Sequence, residues 1–214
     1  MHLTKILFVC HGKTCLPLMD VFLNLLVFLA TAVSFIFCFR DRDGIWSWKS
    51  GIRSLRFFTI LSNLFCACAS LAVALSSLQG TIPHGIWLLK YVAASSVAVT
   101  FLTVMFFLGP TQGYKEQLKG WGLFLHLICP VLAILSFCFL ERAYPLSFAV
   151  SLLGMLPVVL YGALYLYKVV LVPEESRWED FYGFNKGGKW RMSFTAMIVG
   201  AFLVCVILRL LCRV

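Results

Sequence analysis

Long apolar runs separated by short polar links set the first reading of this chain. Six runs of predominantly apolar residues lie at Leu18 to Phe39, Leu55 to Leu78, Leu88 to Gly109, Gly122 to Leu140, Leu146 to Lys168 and Met192 to Leu211. A helix of about 20 such residues crosses the hydrocarbon core of a bilayer, where it must satisfy its own N–H and C=O groups because lipid offers no partner. The pattern therefore predicts an all-α polytopic membrane protein, a compact six-transmembrane-helix bundle over residues 18–211, with tails at 1–17 and 212–214. Breakers fall between the runs: Arg-Asp-Arg-Asp-Gly from Arg40, Pro83-His84-Gly85, Pro110 and Tyr144-Pro145. Trp46, Trp48, Trp87, Trp121, Trp178 and Trp190 all fall at predicted span edges, where an amphipathic ring sits at headgroup level.

Composition agrees with this pattern. Of 214 residues, 61% are hydrophobic and 13% charged, against about 25% charged in an ordinary soluble domain. That excludes a water-soluble enzyme and a disordered chain. The net charge of +9 would suggest nucleic acid if it lay on one face of an element, but here it is spread between apolar runs, so membrane lipids are the expected partner and nucleic acid is not.

The first, third and fifth links with their flanks hold twelve Lys and Arg, from Arg40 to Arg191, against six at the termini and the even links. The positive-inside rule places the odd links in the cytoplasm and both termini outside. Most of the nine cysteines lie in or beside apolar runs as small hydrophobes, and no Cys-x-x-Cys pair occurs. Neither disulfide, metal nor other cofactor is expected.

Polar groups inside spans are costly and mark interior or functional positions. In the second span Thr59, Ser62, Asn63, Cys66 and Ser70 form one helical stripe. For Ser62, Cys66 and Ser70 helix packing is sufficient explanation; Asn63 beside Thr59 is less ordinary. His126 is the only histidine within a span, four residues before Pro130, whose missing N–H frees the carbonyl of residue 126 and lets the helix bend. Thr59 and His126 are each the fifth residue of spans running in the same direction, so both lie about 6 Å below one face.

A hydroxyl and an imidazole at equal depth can act as nucleophile and base if their helices are neighbours. Asp20 and Lys90 belong to the opposite face, so any catalytic unit is a dyad. Asn63 could donate to a developing oxyanion, and Tyr161 and Tyr165, near the same face, could orient the base. The competing class is a non-catalytic six-span lipid- or small-molecule-binding or transport protein, in which these groups only hydrogen-bond across helices. A transporter would be expected to show repeat symmetry, and no repeat is evident.

Arg56-Phe-Phe-Thr59-Ile-Leu-Ser-Asn63, His126 with Pro130 in a later span, and a Trp-rich last link before a final span together resemble the androgen-induced-gene family of six-span intramembrane threonine hydrolases. The likeness runs over Met19 to Leu211 in layout and is sharpest around Thr59 and His126. It implies a hydrolase of lipid esters, such as fatty acid esters of hydroxy fatty acids, with Thr59 as nucleophile and His126 as base. The fifth link, with Trp178, Phe181, Tyr182, Phe184 and Trp190 among charges and glycines, is expected to form the rim of the pocket. Residues Lys5 to Cys15 resemble the start of low-molecular-weight tyrosine phosphatases, but Leu16 stands six positions after Cys10, where that family needs an Arg to bind phosphate.

Overall fold

The computed structural model describes residues 15–41 and 43–212; the phosphatase-like stretch before Cys15 lies outside them. The described residues are all-α, with α1 at Cys15–Phe37, α2 at Phe58–Leu78, α3 at His84–Gln112, α4 at Phe124–Phe139, α5 at Phe148–Leu171 and α6 at Trp190–Leu211. Five of these are long and apolar enough to cross a membrane; α4 is a shorter apolar helix.

The helices are inside-out relative to a soluble bundle. Along α1 the positions Asp20, Asn24, Val27, Thr31 and Ser34 repeat at alternating spacings of four and three residues and are all buried, whereas Leu18, Phe22, Leu29 and Ile36 face outward with more than half their surface exposed. Polar groups turn inward to find partners, and the apolar surface is left for acyl chains. The helices α1, α2, α3 and α4 close a ring of packed pairs. Where they meet, Val27, Cys66, Ala69, Ala93, Val97 and Ala133 form a core of mostly small side chains, which lets backbones approach closely. The helices α5 and α6 pack on each other and on the outer side of α3. There Gly154 is required, because a Cβ would stand 2.6 Å from Ser95 Oγ and 2.9 Å from Cys205 Sγ.

Irregular turns precede four prolines. The π turns Val104–Leu108, Phe124–Ile128 and Tyr167–Leu171 come before Pro110, Pro130 and Pro173, and the 3₁₀ turn Leu152–Met155 comes before Pro157. In each π turn the closing N–H reaches back five residues: Gly109 to Val104, Cys129 to Phe124 and Val172 to Tyr167. Proline lacks the donor and crowds the carbonyl four residues back, so the preceding turn widens. The bend expected around His126 and Pro130 takes this form, with His126 at the centre of the turn.

Several span limits move for local reasons. The second helix begins at Phe58 rather than Leu55, because Phe57 is an extended N-cap. The third begins at His84 rather than Leu88, after Pro83, and runs on past Gly109 to Gln112. Ser47 and Ser147 accept from Ser50 N and Val150 N as N-caps, the first opening a short helix Trp48–Ser54 in the first link and the second opening α5.

One tryptophan departs from the headgroup pattern. Trp87 is 1% exposed, packs on Phe137 and Tyr91 in the core, and donates Nε1–H to Glu141 O at 2.7 Å. Its partner is a buried carbonyl at the far end of α4, so it ties α3 to α4.

The odd links meet at one end of the bundle. Tyr161 OH donates to Arg56 O at 2.7 Å, Gln112 Nε2 to Phe181 O at 3.3 Å, and Trp121 stacks on Phe37 at 4.0 Å. The even links meet at the other, where Tyr144 OH donates to Ile82 O at 2.9 Å and Arg209 Nε to Leu146 O at 3.3 Å.

Candidate functional site

Thr59 stands at the first turn of α2, where the helix meets the fifth link. Thr59 lines a partly open cavity of about 400 Å³ between α2, α3, α5, α6 and that link. The walls are mainly apolar, including Val99, Phe107, Val158 and Met197, and the polar lining residues are Thr59, Thr100, Thr103, Ser193, Tyr161, Tyr165 and Tyr182. This is the size and character of a site for an elongated apolar ligand with a few orienting polar groups. Beside it a lateral slot between α2 and α5 is lined by Leu61, Ser62, Phe65, Pro157, Leu160 and Leu164. Phe58 and Tyr161, with ring centroids 5.0 Å apart, line both spaces and stand between them.

The fifth link covers the chamber as expected. Asp180 organises it, accepting from Phe184 N and Asn185 N at 2.8 Å each and from Tyr165 OH at 3.1 Å. The Tyr165 hydroxyl in turn accepts from Tyr182 N at 3.3 Å. Tyr165 is thus spent on holding the link, and Tyr161 on the Arg56 carbonyl; neither hydrogen-bonds the imidazole of His126.

The link delivers Tyr182 from the rim to the side of Thr59. The Tyr182 hydroxyl accepts from Phe58 N at 3.0 Å, and the side chain of Thr59 and the phenol of Tyr161 lie beside it. Burial pushes the Tyr182 phenol above the ordinary tyrosine range. It therefore remains a neutral O–H group at pH 7, beside the Thr59 side chain. The only advance signal was the aromatic run Phe181-Tyr182-Gly183-Phe184.

His126 is ordered by the third link. Its Nδ1 lies 2.6 Å from Gln117 O; a carbonyl can only accept, so Nδ1 carries the proton and Nε2 keeps the lone pair. Among the described residues no hydrogen bond joins His126 to Thr59, and His126 is not part of the chamber wall. What connects the two is Asn63. Its Nδ2 donates to Thr59 O at 2.8 Å and to Leu125 O at 2.9 Å, fastening the first turn of α2 to the turn that holds His126. Both amide hydrogens are used, so in this arrangement Asn63 offers none to an oxyanion, while its buried Oδ1 has no partner. Ser62 bonds Thr59 O at 3.2 Å and Thr100 Oγ1 at 2.8 Å, and so joins α2 to α3.

Comparison with known proteins finds no matching family model, curated protein or solved structure.

Proposed function

We propose that this chain is an intramembrane hydrolase that cleaves a lipid ester through Thr59. The reading rests on one observation above the rest: Thr59, at a helix N-terminus, lines a mainly apolar chamber of about 400 Å³ together with Tyr161, Tyr165 and Tyr182. A lipid ester enters through the slot between α2 and α5, passes the Phe58–Tyr161 pair and lays its acyl chain along α3 and α6. His126 Nε2 takes the Thr59 proton as the hydroxyl oxygen attacks the ester carbonyl, and Tyr182 donates to the oxyanion. The alcohol leaves with the proton from His126, and water arriving from the odd-link end hydrolyses the acyl-threonine. The roles of Thr59 and His126 follow the family resemblance; that of Tyr182 follows from its place beside Thr59.

The substrate half of the proposal has its own test at Gly200, which lines the chamber and has open space where a Cβ would stand. Gly200→Leu is expected to reduce hydrolysis of long-chain esters at least tenfold while sparing short-chain ones, measured as kcat/KM over a chain-length series. Equal loss at every length would remove the chamber from substrate binding.

A second reading is favoured by the exclusion of His126 from the chamber wall: a lipid-binding protein in which Thr59 only packs beside Tyr182. Ester turnover by purified protein, tested with Thr59→Ala, separates the two readings.

We further propose that α4 completes six spans, with the odd links in the cytoplasm and both termini outside. The twelve basic residues of the odd links support that orientation. Cysteines introduced at Lys115 and at Gly80 should react with an impermeant maleimide from opposite sides, Lys115 from the cytoplasm. Reaction of both from one side would discard the six-span layout, and reversal would discard the orientation.

A further inference from the structure

A second buried polar cluster lies at the opposite end of the bundle from Thr59. Ser77, at the far end of α2, is 18 residues from Thr59, or about 27 Å along the helix axis. Here Lys90 and Asn24 are fully buried, Glu141 is 1% exposed and Asp20 5%. The Lys90 ammonium donates to Asn24 Oδ1 at 2.6 Å and Ser70 Oγ at 2.7 Å, and stands 3.7 Å from Glu141 Oε1. Asn24 Nδ2 reaches Asp20 O at 3.0 Å, Asp20 Oδ1 at 2.9 Å and Glu141 Oε1 at 3.0 Å, while Ser77 Oγ donates to Asp20 Oδ2 at 2.6 Å. Glu141 Oε2 is buried with no partner.

We propose that this cluster is a proton-binding site, in which Asp20 and Glu141 hold one exchangeable proton between them against the Lys90 cation, and that the proton resides on Glu141.

The charge balance among the described residues points to it. With both carboxylates ionised, one ammonium faces two anions, and a net negative charge would be sealed among helices, at a cost of several kcal/mol. One proton makes the cluster neutral. The donors decide which acid carries it: both oxygens of Asp20 receive a side-chain hydrogen bond, whereas Glu141 shares the two hydrogens of Asn24 with two other acceptors and leaves Oε2 bare. A bare oxygen on a neutral carboxyl costs far less than on a carboxylate. A metal cation is the wrong occupant, since Lys90 already fills the cationic position, and an anion would meet both carboxylates.

Among the described residues, no other charged group faces the cluster. From α2 the neighbours are Cys66, Ser70 and Ser77; from the end of α4, Ser136 and Cys138; beyond α6, Cys212. Arg142 follows Glu141, but it is exposed, with its guanidinium over the outer Phe139 ring and Nε on Cys138 O. Glu141 itself stands past the C-cap Leu140 of α4, and burial pushes its carboxyl above the usual carboxylate range, with Lys90 opposing. A raised carboxyl contributes stability while it is protonated and loses that contribution as pH rises through its folded value.

The site is independent of the hydrolase reading, and its test needs no substrate. Infrared absorbance of the full chain in lipid nanodiscs at neutral pH should show a protonated-carboxyl C=O band. A heavy-carbon label in glutamate side-chain carboxyls should shift that band, and the same label in aspartate should not. Glu141→Gln should remove it, and Glu116→Gln, at an exposed acid of the opposite end, should leave it. Asp20→Asn should also remove it, although Glu141 is still present, because Lys90 and Glu141 then balance as an ion pair. Absence of the band in the wild-type chain, a band that follows the aspartate label, or one that survives Glu141→Gln overturns the proposal. The labelled wild-type spectra decide the matter even if a variant fails to fold.

Discussion

Thr59→Ala is expected to lower lipid-ester hydrolysis by about 10³-fold or more and to abolish covalent labelling by an activated phosphonate, while the protein stays folded. Removal of a nucleophile from a unit of interdependent groups commonly has an effect of that order or larger. Thr59→Ser should keep part of the activity, because the attacking hydroxyl remains. His126→Ala should lose about as much as Thr59→Ala, and the double variant should be little worse than either. The competing role for Thr59 is a side chain packed beside Tyr182 that takes no part in chemistry. That role predicts only a stability change, about 1 kcal/mol for a lost interhelical hydrogen bond, and full hydrolysis by folded Thr59→Ala protein would end the nucleophile assignment.

The His126 arm of that experiment also reports on geometry. His126 Nδ1 is held by Gln117 O, so the basic nitrogen is Nε2, and Asn63 bonds the carbonyls of both Thr59 and Leu125. Asn63 is therefore a positioning residue in the proposed mechanism. Asn63→Ala should lower kcat with little change in KM for short esters, since it disturbs the alignment of α2 and α4 without touching the chamber. A loss confined to stability, with kcat intact in the folded fraction, would reduce Asn63 to a packing role.

Much of this architecture was legible in the chain. Apolar runs marked all six helices, because the length of a helix and the absence of charge within it are local properties. The disturbance at His126 was legible too, since proline acts on the turn before it. Trp87 was not: its position at a span edge suggests a headgroup anchor, and only the fold brings the carbonyl of Glu141 to its indole. Tyr182 escaped for the same reason, because a link of aromatic and charged residues does not reveal which ring will reach Phe58 N. The inward stripe of Asp20, Asn24, Thr31 and Ser34 could have been read from its spacing, and it would have signalled that α1 carries buried polar business of its own. Asp20 and Lys90 were visible singly as residues of one face, and Glu141 carried no local signal. Their convergence joins α1, α3 and the segment after α4, which no local pattern records.

That convergence sets the other large expected effect, at Lys90. Lys90→Met replaces the ammonium with an apolar side chain of similar length and leaves Asp20 and Glu141 facing each other without a cation. Breaking a buried pair by removing one partner costs about 3–5 kcal/mol, because the remaining charge must be buried alone or neutralised. Here neutralisation requires a second proton, so the variant should be least stable at high pH and recover part of the loss as pH falls. Reversible unfolding in mixed micelles, followed by helix content, measures both terms. Adding Asp20→Asn to Lys90→Met removes the orphaned carboxylate while keeping a polar side chain for Asn24 and Ser77. The double variant should then be more stable than Lys90→Met alone, a non-additivity that two independent packing residues would not give. If Lys90→Met is as stable as the parent, or if the second substitution adds its own full cost, the ammonium is not the counter-charge that holds this end of the bundle together.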